Sequence, residues 1–284
     1  MTPYYFGDSK SPLFGCYLPP AGAAARDHGV LVCSPIAQEY VRTHWAVRQL
    51  ASALSRAGFH VCRFDYSAVG DSALSTSEAT VARWREDVEL AAEELRDNAG
   101  VRTLSLVGLR FGAALAVGAV TRLRARDVVL WDPVVSGQRY LDELGGMHAS
   151  LLKDPRRFAF SLGDEYRLRL APLLPSLAGP TRSGSDELLG FAFPRLLRRE
   201  IAALDLPRAA AAAARPPPGR TVMVLSEERE EYRELEQALR GAGHRLDVMR
   251  ASTRGRWGEL DEIENALLPG DVPRLVAGAL GGAR

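Results

Sequence analysis

The stretch VGLRFGA, at residues 107–113, decides how this chain folds. It follows the apolar run LSLV at 104–107 and precedes the small-residue segment AALAV at 113–117, so the sequence predicts a strand, a sharp glycine-flanked turn and a helix. In that setting the pattern G-x-S-x-G presents a nucleophilic serine. The central residue here is Arg110, whose guanidinium stays protonated at neutral pH and cannot act as a nucleophile.

Composition places the chain among globular proteins that bury a core. The 284 residues are 46% hydrophobic and 25% charged, which suits one large domain or two small ones. The formal net charge of +1 creates no global field that would favour nucleic acid or an anionic membrane. Because no apolar run of about 18 residues and no signal-peptide pattern is present, we expect no membrane span and a cytoplasmic location.

The cysteine pattern argues against a metal site and against a disulfide framework. Cys16, Cys33 and Cys62 are odd in number, lack metal-ligand spacing and lie among apolar residues. We therefore expect buried free thiols, no metal and no cofactor.

Short apolar runs alternate with longer amphipathic segments, as in a sheet covered by helices on both faces. Strands are predicted at 13–17, 29–33, 59–64, 104–107, 128–131, 221–225 and 245–249. Helices are predicted at 44–57, 80–98, 111–123, 230–240 and 272–280. Between 135 and 215 the sequence predicts helices at 139–144, 155–170 and 187–204, a short helix or linker at 209–214, and no strand.

This interruption defines the predicted domain organisation. Residues 1–134 and 216–284 would form one α/β core with a mostly parallel, doubly wound sheet, and residues 135–215 a helical lid inserted into it. Ligands bind such sheets at the carboxyl ends of the strands. We therefore expect the functional residues directly after the strands and at the start of the insertion.

Four stretches, taken together and in this order, resemble the α/β-hydrolase superfamily. They are VCSPIAQEYVRTHWAVRQLASAL at 32–54, FDYSAVGDSA at 64–73, GLRFGA at 108–113 and VLWDPVVSGQRYLDEL at 129–144. Within the superfamily, the likeness is to hydrolase-like proteins associated with exosortase systems. The resemblance implies an α/β-hydrolase fold, with a serine at the elbow, an acid after the sixth or seventh strand and a histidine after the eighth.

The sequence departs from that pattern at two of the three catalytic positions. Arg110 stands where the serine would be, and the loop at 250–257 contains no histidine. Trp257 in that loop is expected to fill the space of the imidazole, whereas Asp132 remains at an acid position. Hydrolysis by the standard triad is therefore not expected.

Arg110 has two interpretations. Its guanidinium could bind a substrate anion or stabilise developing negative charge. Alternatively it forms an internal ion pair with Asp132 or Glu39, because a buried guanidinium without a partner is costly.

The remaining candidates lie at the same predicted edge of the sheet. The candidate catalytic residues are Arg110, Asp132, Glu39 and His44, and the candidate substrate-binding residues are Ser34, Tyr40, Asp65, Phe111, Tyr140 and Trp257. Cys33 or Ser34 with His44 as base would give a displaced nucleophile; the alternative is a buried thiol and a turn or capping serine. For Asp65 the alternative is a purely structural turn.

The leading functional hypothesis is an atypical hydrolase-family protein that acts on an acyl ester, thioester or related carbonyl compound without a Ser-His-Asp triad. A second hypothesis is a non-catalytic protein that binds an anionic ligand or a protein partner. A third is a triad-free lyase, cyclase or acyltransferase in a biosynthetic pathway. The expected partner is a small acyl-type substrate, free or attached to a carrier, and the sequence leaves a homodimer open.

Overall fold

An eight-stranded sheet forms the centre of the protein. The structure is a computed structural model, which describes residues 1–22, 24–154, 186–212, 216–262 and 265–282. The strands of this sheet are β1 (Thr2–Phe6), β2 (Leu13–Leu18), β3 (His28–Cys33), β4 (His60–Phe64), β5 (Thr103–Leu109), β6 (Val128–Trp131), β9 (Thr221–Leu225) and β10 (Leu246–Arg250). A separate hairpin consists of β7 (Glu187–Leu188) and β8 (Phe191–Ala192).

The strand order in the sheet is β1-β2-β4-β3-β5-β6-β9-β10. Strand β2 runs in the opposite direction to the other seven strands, so its pairings with β1 and β4 are antiparallel and the remaining pairings are parallel. Every residue of β3, β6 and β9 is buried, which explains why these strands are continuous apolar runs in the sequence. The predicted mostly parallel, doubly wound α/β sheet is confirmed.

Helices cover both faces of the sheet. They are α1 (Ala37–Arg56), α2 (Val81–Ala99), α3 (Phe111–Leu123), α4 (Gly137–Leu152), α5 (Arg195–Ala202), α6 (Leu206–Ala212), α7 (Glu230–Gly241) and α8 (Val272–Gly281). Helices α1 and α8 pack on one face, where Leu50 and Val276 belong to one core. Helices α2, α3 and α7 pack on the other, where Trp84, Leu115 and Leu235 belong to a second core. None of the described helices is long and apolar enough to cross a bilayer.

The structure differs from the sequence prediction in three places. Strand β1 was not predicted, and α1 begins seven residues early, because its first turns bury polar side chains rather than an apolar stripe. The predicted helix at 187–204 is wrong in its first half, which is the β7–β8 hairpin. Leu189 and Gly190 both have positive φ there, which a helix cannot accommodate.

The segment between β6 and β9 contains α4, the hairpin, α5 and α6. Helix α4 extends to Leu152, well past the predicted end at 144, and packs against α5. The predicted helix at 155–170 lies outside the described residues. That the whole of 135–215 acts as a lid remains a prediction.

Candidate functional site

Arg110 lies at the sharp turn between β5 and α3, with φ 53° and ψ −118°. Two glycines permit this turn. A Cβ on Gly108 would collide with the backbone of Ala113, and a Cβ on Gly112 with the carbonyl of Cys33. The Arg110 amide also donates to the carbonyl of Trp131 at 3.0 Å, which ties the turn to the end of β6. The glycine-flanked turn predicted from the sequence is therefore present, with an arginine at its apex.

The guanidinium of Arg110 is held by an internal anion. Its Nε donates to Oε1 of Glu39 at 2.8 Å, and both side chains are only 2% exposed. The other oxygen of Glu39 accepts a hydrogen bond of 3.2 Å from the Tyr140 hydroxyl. Of the two partners considered from the sequence, Glu39 forms the ion pair; Asp132 offers only its backbone carbonyl, 3.3 Å from Nη1 of Arg110.

Burial and charge act in opposite directions on this pair. Burial raises the pKa of Glu39, and the adjacent guanidinium of Arg110 opposes that rise. For Arg110, burial alone would lower the pKa, but the carboxylate of Glu39 and neighbouring acidic groups raise it overall. The pair is therefore a mutually dependent unit, since removing either partner would leave the other charge buried and uncompensated.

Asp132 belongs to a second cluster beside the first. Its carboxylate accepts three hydrogen bonds: from the backbone amide of Ser226 at 2.7 Å, from the Ser226 hydroxyl at 2.5 Å and from the indole N–H of Trp257 at 3.0 Å. Burial raises the pKa of Asp132, and these hydrogen bonds act against that shift. The carboxylate of Asp132 is thus not the partner of the Arg110 guanidinium, and it accepts its hydrogen bonds from Ser226 and Trp257 instead.

Trp257 is fixed from several directions. Its indole ring lies 4.9 Å from the guanidinium carbon of Arg110 and 5.4 Å from that of Arg42, both within the range of cation–π attraction. Its backbone amide donates to Glu227 at 2.9 Å. These contacts hold the loop after β10 over the sheet edge.

Arg42 is a site residue that the sequence analysis did not select. It is buried and donates to the carbonyls of Gly255, Arg256 and Asn265, at distances of 2.8, 3.1 and 3.3 Å. Its position three residues after Glu39 places it on the same helix face, and this spacing was the available signal.

A further ion pair, between Arg229 and Glu143, borders the site. Arg229 donates to both oxygens of Glu143, at 2.9 and 3.1 Å, and also to Glu227 at 3.0 Å. Glu227 in turn accepts from Trp257. No local pattern in the sequence indicates this pairing, because it joins α4 to the segment after β9, 86 residues apart.

His44 is not part of the site, which corrects the sequence prediction. It is exposed, and its Nε2 lies 3.3 Å from Nη1 of Arg63. Five residues along a helix turn a side chain by about 140°. Since Glu39 points inward at the start of α1, His44 points away from it.

The displaced-nucleophile interpretation is also not supported. Burial raises the pKa of the Cys33 thiol to about 12, so the reactive thiolate is not available near neutral pH. Ser34 is buried, and its carbonyl accepts a hydrogen bond of 2.9 Å from Tyr66. With His44 directed elsewhere, neither Cys33 nor Ser34 has that histidine as a base.

An apolar cavity of about 220 Å³ lies beside the Arg110 cluster. Its wall is formed by Ile36, Ala37, Tyr40, Val41, Ala68, Val69, Gly70, Thr76, Ala79, Trp84, Phe191, Ala192, Phe193 and Leu197. Among the predicted site residues, only Tyr40 lines it, with its hydroxyl donating to Asp65 at 2.8 Å. Asp65 also accepts from the amide of Asp71, a structural role at the turn.

The two aromatic candidates complete the boundary between the clusters. Phe111 is fully buried and stacks on Tyr140, with ring centroids 6.2 Å apart. Its other neighbour is Trp84, which belongs to the cavity wall. Phe111 therefore lies between Tyr140 of the ion-pair cluster and Trp84 of the cavity wall, and neither Arg110 nor Glu39 lines the cavity.

Solved structures share this architecture. An esterase from Pyrococcus furiosus aligns with a TM-score of 0.60 and 14% identity, over 98% of this chain and 89% of that one. Alpha/beta hydrolase domain-containing protein 10 from mouse aligns over all of both chains, with a TM-score of 0.55 and 15% identity.

The chain has the α/β-hydrolase fold. A serine hydrolase without a lid from Xanthomonas campestris also matches, with a TM-score of 0.54 and 17% identity, over 92% of this chain and 89% of that one. No protein-family model matches the sequence, and no curated protein is significantly similar to it. At these identities the α/β-hydrolase fold is shared, and function must be argued from the site.

Proposed function

We propose that this chain is a non-hydrolytic α/β-hydrolase-fold protein that binds a small apolar, acyl-type ligand in the cavity beside the elbow. The observation that carries the proposal is the buried Arg110–Glu39 pair under Tyr140 and Trp257. A group that must meet a substrate cannot do so while it is enclosed and neutralised by the protein's own carboxylate. This favours the non-catalytic class of the second sequence hypothesis. It does not favour the anionic ligand of that hypothesis, because Glu39 already pairs with the Arg110 guanidinium.

Trp257 supports the same conclusion. In a serine triad the acid orients a histidine by accepting its N–H. Here the indole N–H of Trp257 donates to Asp132 instead. An indole nitrogen is a donor only and cannot take up a proton as a general base. Trp257 therefore makes the hydrogen bond to the acid that a triad histidine would make, but it cannot act as the base.

The cavity defines the ligand class. Its wall is almost entirely aliphatic and aromatic, and the one phenol in it, that of Tyr40, is already bonded to Asp65. The volume of about 220 Å³ is suited to a short acyl chain or a compact apolar group. The hairpin residues Phe191 and Ala192 contribute to the wall, which supports a lid role for the inserted segment.

The four sequence stretches described above further support placing the chain with the exosortase-associated hydrolase-like proteins. The fold, the glycine-flanked elbow and the retained Asp132 agree with such a relationship. In this proposal the chain shares an ancestor with those proteins but does not use the chemistry of a serine triad.

The absence of serine chemistry is tested with a fluorophosphonate probe and a panel of p-nitrophenyl esters of different chain lengths. We expect no labelling and no turnover above background, while a serine esterase run in parallel is labelled fully. A double variant would place a serine at the elbow by Arg110→Ser and, by Glu39→Gln, remove the charge left unpaired. We expect this variant to stay unlabelled as well, because the loop at 250–257 supplies no histidine. Labelling of the unmodified protein would overturn the proposal.

Ligand binding is tested with a fluorescent short-chain acyl probe. Ala192 lies at the exposed rim of the cavity, so Ala192→Trp should fill the opening and weaken probe binding at least about tenfold. The matched control is Ala209→Trp, an exposed position on α6 away from the cavity. Equal binding by both variants would show that the probe binds elsewhere.

A further inference from the structure

The outer surface formed by α1 and α8 carries exposed positive charge, and neither helix contains an exposed carboxylate. The two helices together contain one acidic residue, Glu39, which is buried. Their exposed charges are Arg48, Arg56 and Arg274. The carboxylate of Asp271, directly before α8, interacts electrostatically with Arg274, whereas no described carboxylate forms an ion pair with Arg48 or Arg56. By contrast, Arg240 on α7 pairs with a carboxylate on its own helix.

An apolar groove of about 850 Å³ runs between the same two helices. Its apolar wall is formed by Trp45, Ala53, Ala57, Leu268, Pro269, Pro273 and Ala277. Trp45 is 44% exposed and Leu268 is 64% exposed, which is unusual for large apolar side chains. Arg56 and Arg274 line the groove, so apolar surface and positive charge occur side by side.

This groove and the ligand cavity border neighbouring turns of α1. Val41, 62% exposed, lines the cavity and lies one helical turn before Trp45. The amide of Leu267 donates to the carbonyl of Arg42 at 2.8 Å, which places Leu268 beside that turn of α1. From Val41 to Arg56 the exposed face of α1 extends about 22 Å, or four helical turns.

We propose that this face, defined by Val41, Trp45, Leu268, Arg48, Arg56 and Arg274, docks an acidic amphipathic helix of a partner protein. The apolar side of that helix would lie in the groove, and its flanking carboxylates would face the three arginines. The further statement that this partner delivers the apolar ligand rests on the proposed function, whereas the docking itself does not.

Two other occupants fit the surface less well. A second copy of the chain would use the same face twice in a symmetric pair, so the arginines of one copy would oppose those of the other. A bilayer surface cannot enter a concave groove, whereas a helix about 10 Å wide can.

The test uses two synthetic fluorescein-labelled helical peptides of about four turns, each with leucines along one face. One has glutamates flanking the leucines and the other has lysines. We expect the acidic peptide to bind by fluorescence anisotropy and to weaken as salt is added, and the basic peptide to bind at least about tenfold more weakly.

Variants then locate the site. Trp45→Ala and the triple change Arg48→Glu, Arg56→Glu and Arg274→Glu should each weaken the acidic peptide at least about tenfold. The control triple change, Arg83→Glu, Arg85→Glu and Arg122→Glu on α2 and α3, should leave binding within about twofold. Circular dichroism checks that each variant is folded.

Several outcomes would overturn the docking proposal: equal binding of both peptides, no binding of either, or loss of binding equally in the control triple variant. Binding to phosphatidylglycerol vesicles that abolishes peptide binding would assign the face to membranes, and self-association abolished by Trp45→Ala would assign it to a second copy.

Ala192→Trp should keep peptide binding while losing the acyl probe. If only the peptide fails, the docking proposal is wrong; if only the acyl probe fails, the proposed function is wrong.

Discussion

Two neighbouring regions at the same sheet edge have opposite properties. At the elbow, Arg110, Glu39 and Tyr140 form a closed and charged cluster. Beside it, behind Phe111, lies an apolar cavity with a wall of aliphatic and aromatic residues. At the position where this fold presents a nucleophile, the chain buries an ion pair, whereas the neighbouring space is an apolar cavity.

The largest expected effect comes from breaking the charged cluster. Arg110→Ala leaves the carboxylate of Glu39 buried without its partner, and should lower the free energy of unfolding by about 3 to 5 kcal/mol. Urea unfolding followed by circular dichroism measures this change. Adding Glu39→Gln should recover a large part of the loss, because the uncompensated charge is then removed.

The matched control is Arg122→Ala, which breaks the exposed pair between Arg122 and Glu89. Such a pair contributes about 0 to 1 kcal/mol. If Arg110→Ala costs no more than this control, the elbow cluster is not a structural unit and the contrast between the two regions fails.

A pH-dependent effect is expected on the cavity side. Burial raises the pKa of Asp87 to about 6, against hydrogen bonds of 2.7 and 2.9 Å that it accepts from Ser67, next to the cavity wall. Between pH values of about 4 and 6 the folded protein therefore binds more protons at Asp87 than the unfolded chain does. Its contribution to stability should fall as pH rises through that window, by about 3 kcal/mol at most.

The measurement is the difference in unfolding free energy between the wild type and Asp87→Asn, taken at intervals from pH 4 to pH 7. The difference should move in favour of the asparagine variant as pH rises. A difference that stays flat would show that Asp87 keeps an ordinary pKa in the folded protein, and one that moves the other way would show that its pKa is lowered.

A smaller effect is expected at the cover of the elbow. Trp257→Phe keeps an aromatic ring near Arg110 and Arg42 but removes the N–H that donates to Asp132. We expect a loss of about 1 to 3 kcal/mol, the cost of leaving part of a buried carboxylate unsatisfied. Unfolding by urea measures it, and no change would mean that the indole only fills space.

The smallest effect is expected at Tyr40, on the cavity wall. Tyr40→Phe removes one donor to Asp65 but leaves the ring in place, so stability should fall by about 1 kcal/mol. Affinity for the acyl probe should stay within about twofold. A large loss of affinity would instead show that the hydroxyl contacts the ligand.

The fold could be predicted because β3, β6 and β9 are short, fully buried apolar runs, and because the turn at Arg110 needs glycines at fixed positions. The β7–β8 hairpin could not, since strands of two residues carry no detectable alternation.

For the candidate site, the sequence analysis placed Asp132 and Trp257 at the correct edge of the sheet, because both residues come after predicted strands. The choice of Glu39 over Asp132 as the partner of Arg110 could not be predicted, because it depends on side-chain direction. The roles of Arg42 and Ser226 depend on loops that meet only after folding. The prediction for His44 failed because the rotation along α1 directs its side chain away from that of Glu39.

The pairing of Arg110 with Glu39 also constrains the protein's evolution. A single change to serine at position 110 would strand a buried carboxylate, and the loop at 250–257 would still lack a histidine. Any path from this sequence to triad hydrolysis must therefore alter at least three sites, and its first step at the elbow is selected against through stability. The ion pair therefore opposes a change to serine at the elbow, because that change must be accompanied by the loss of the Glu39 carboxylate.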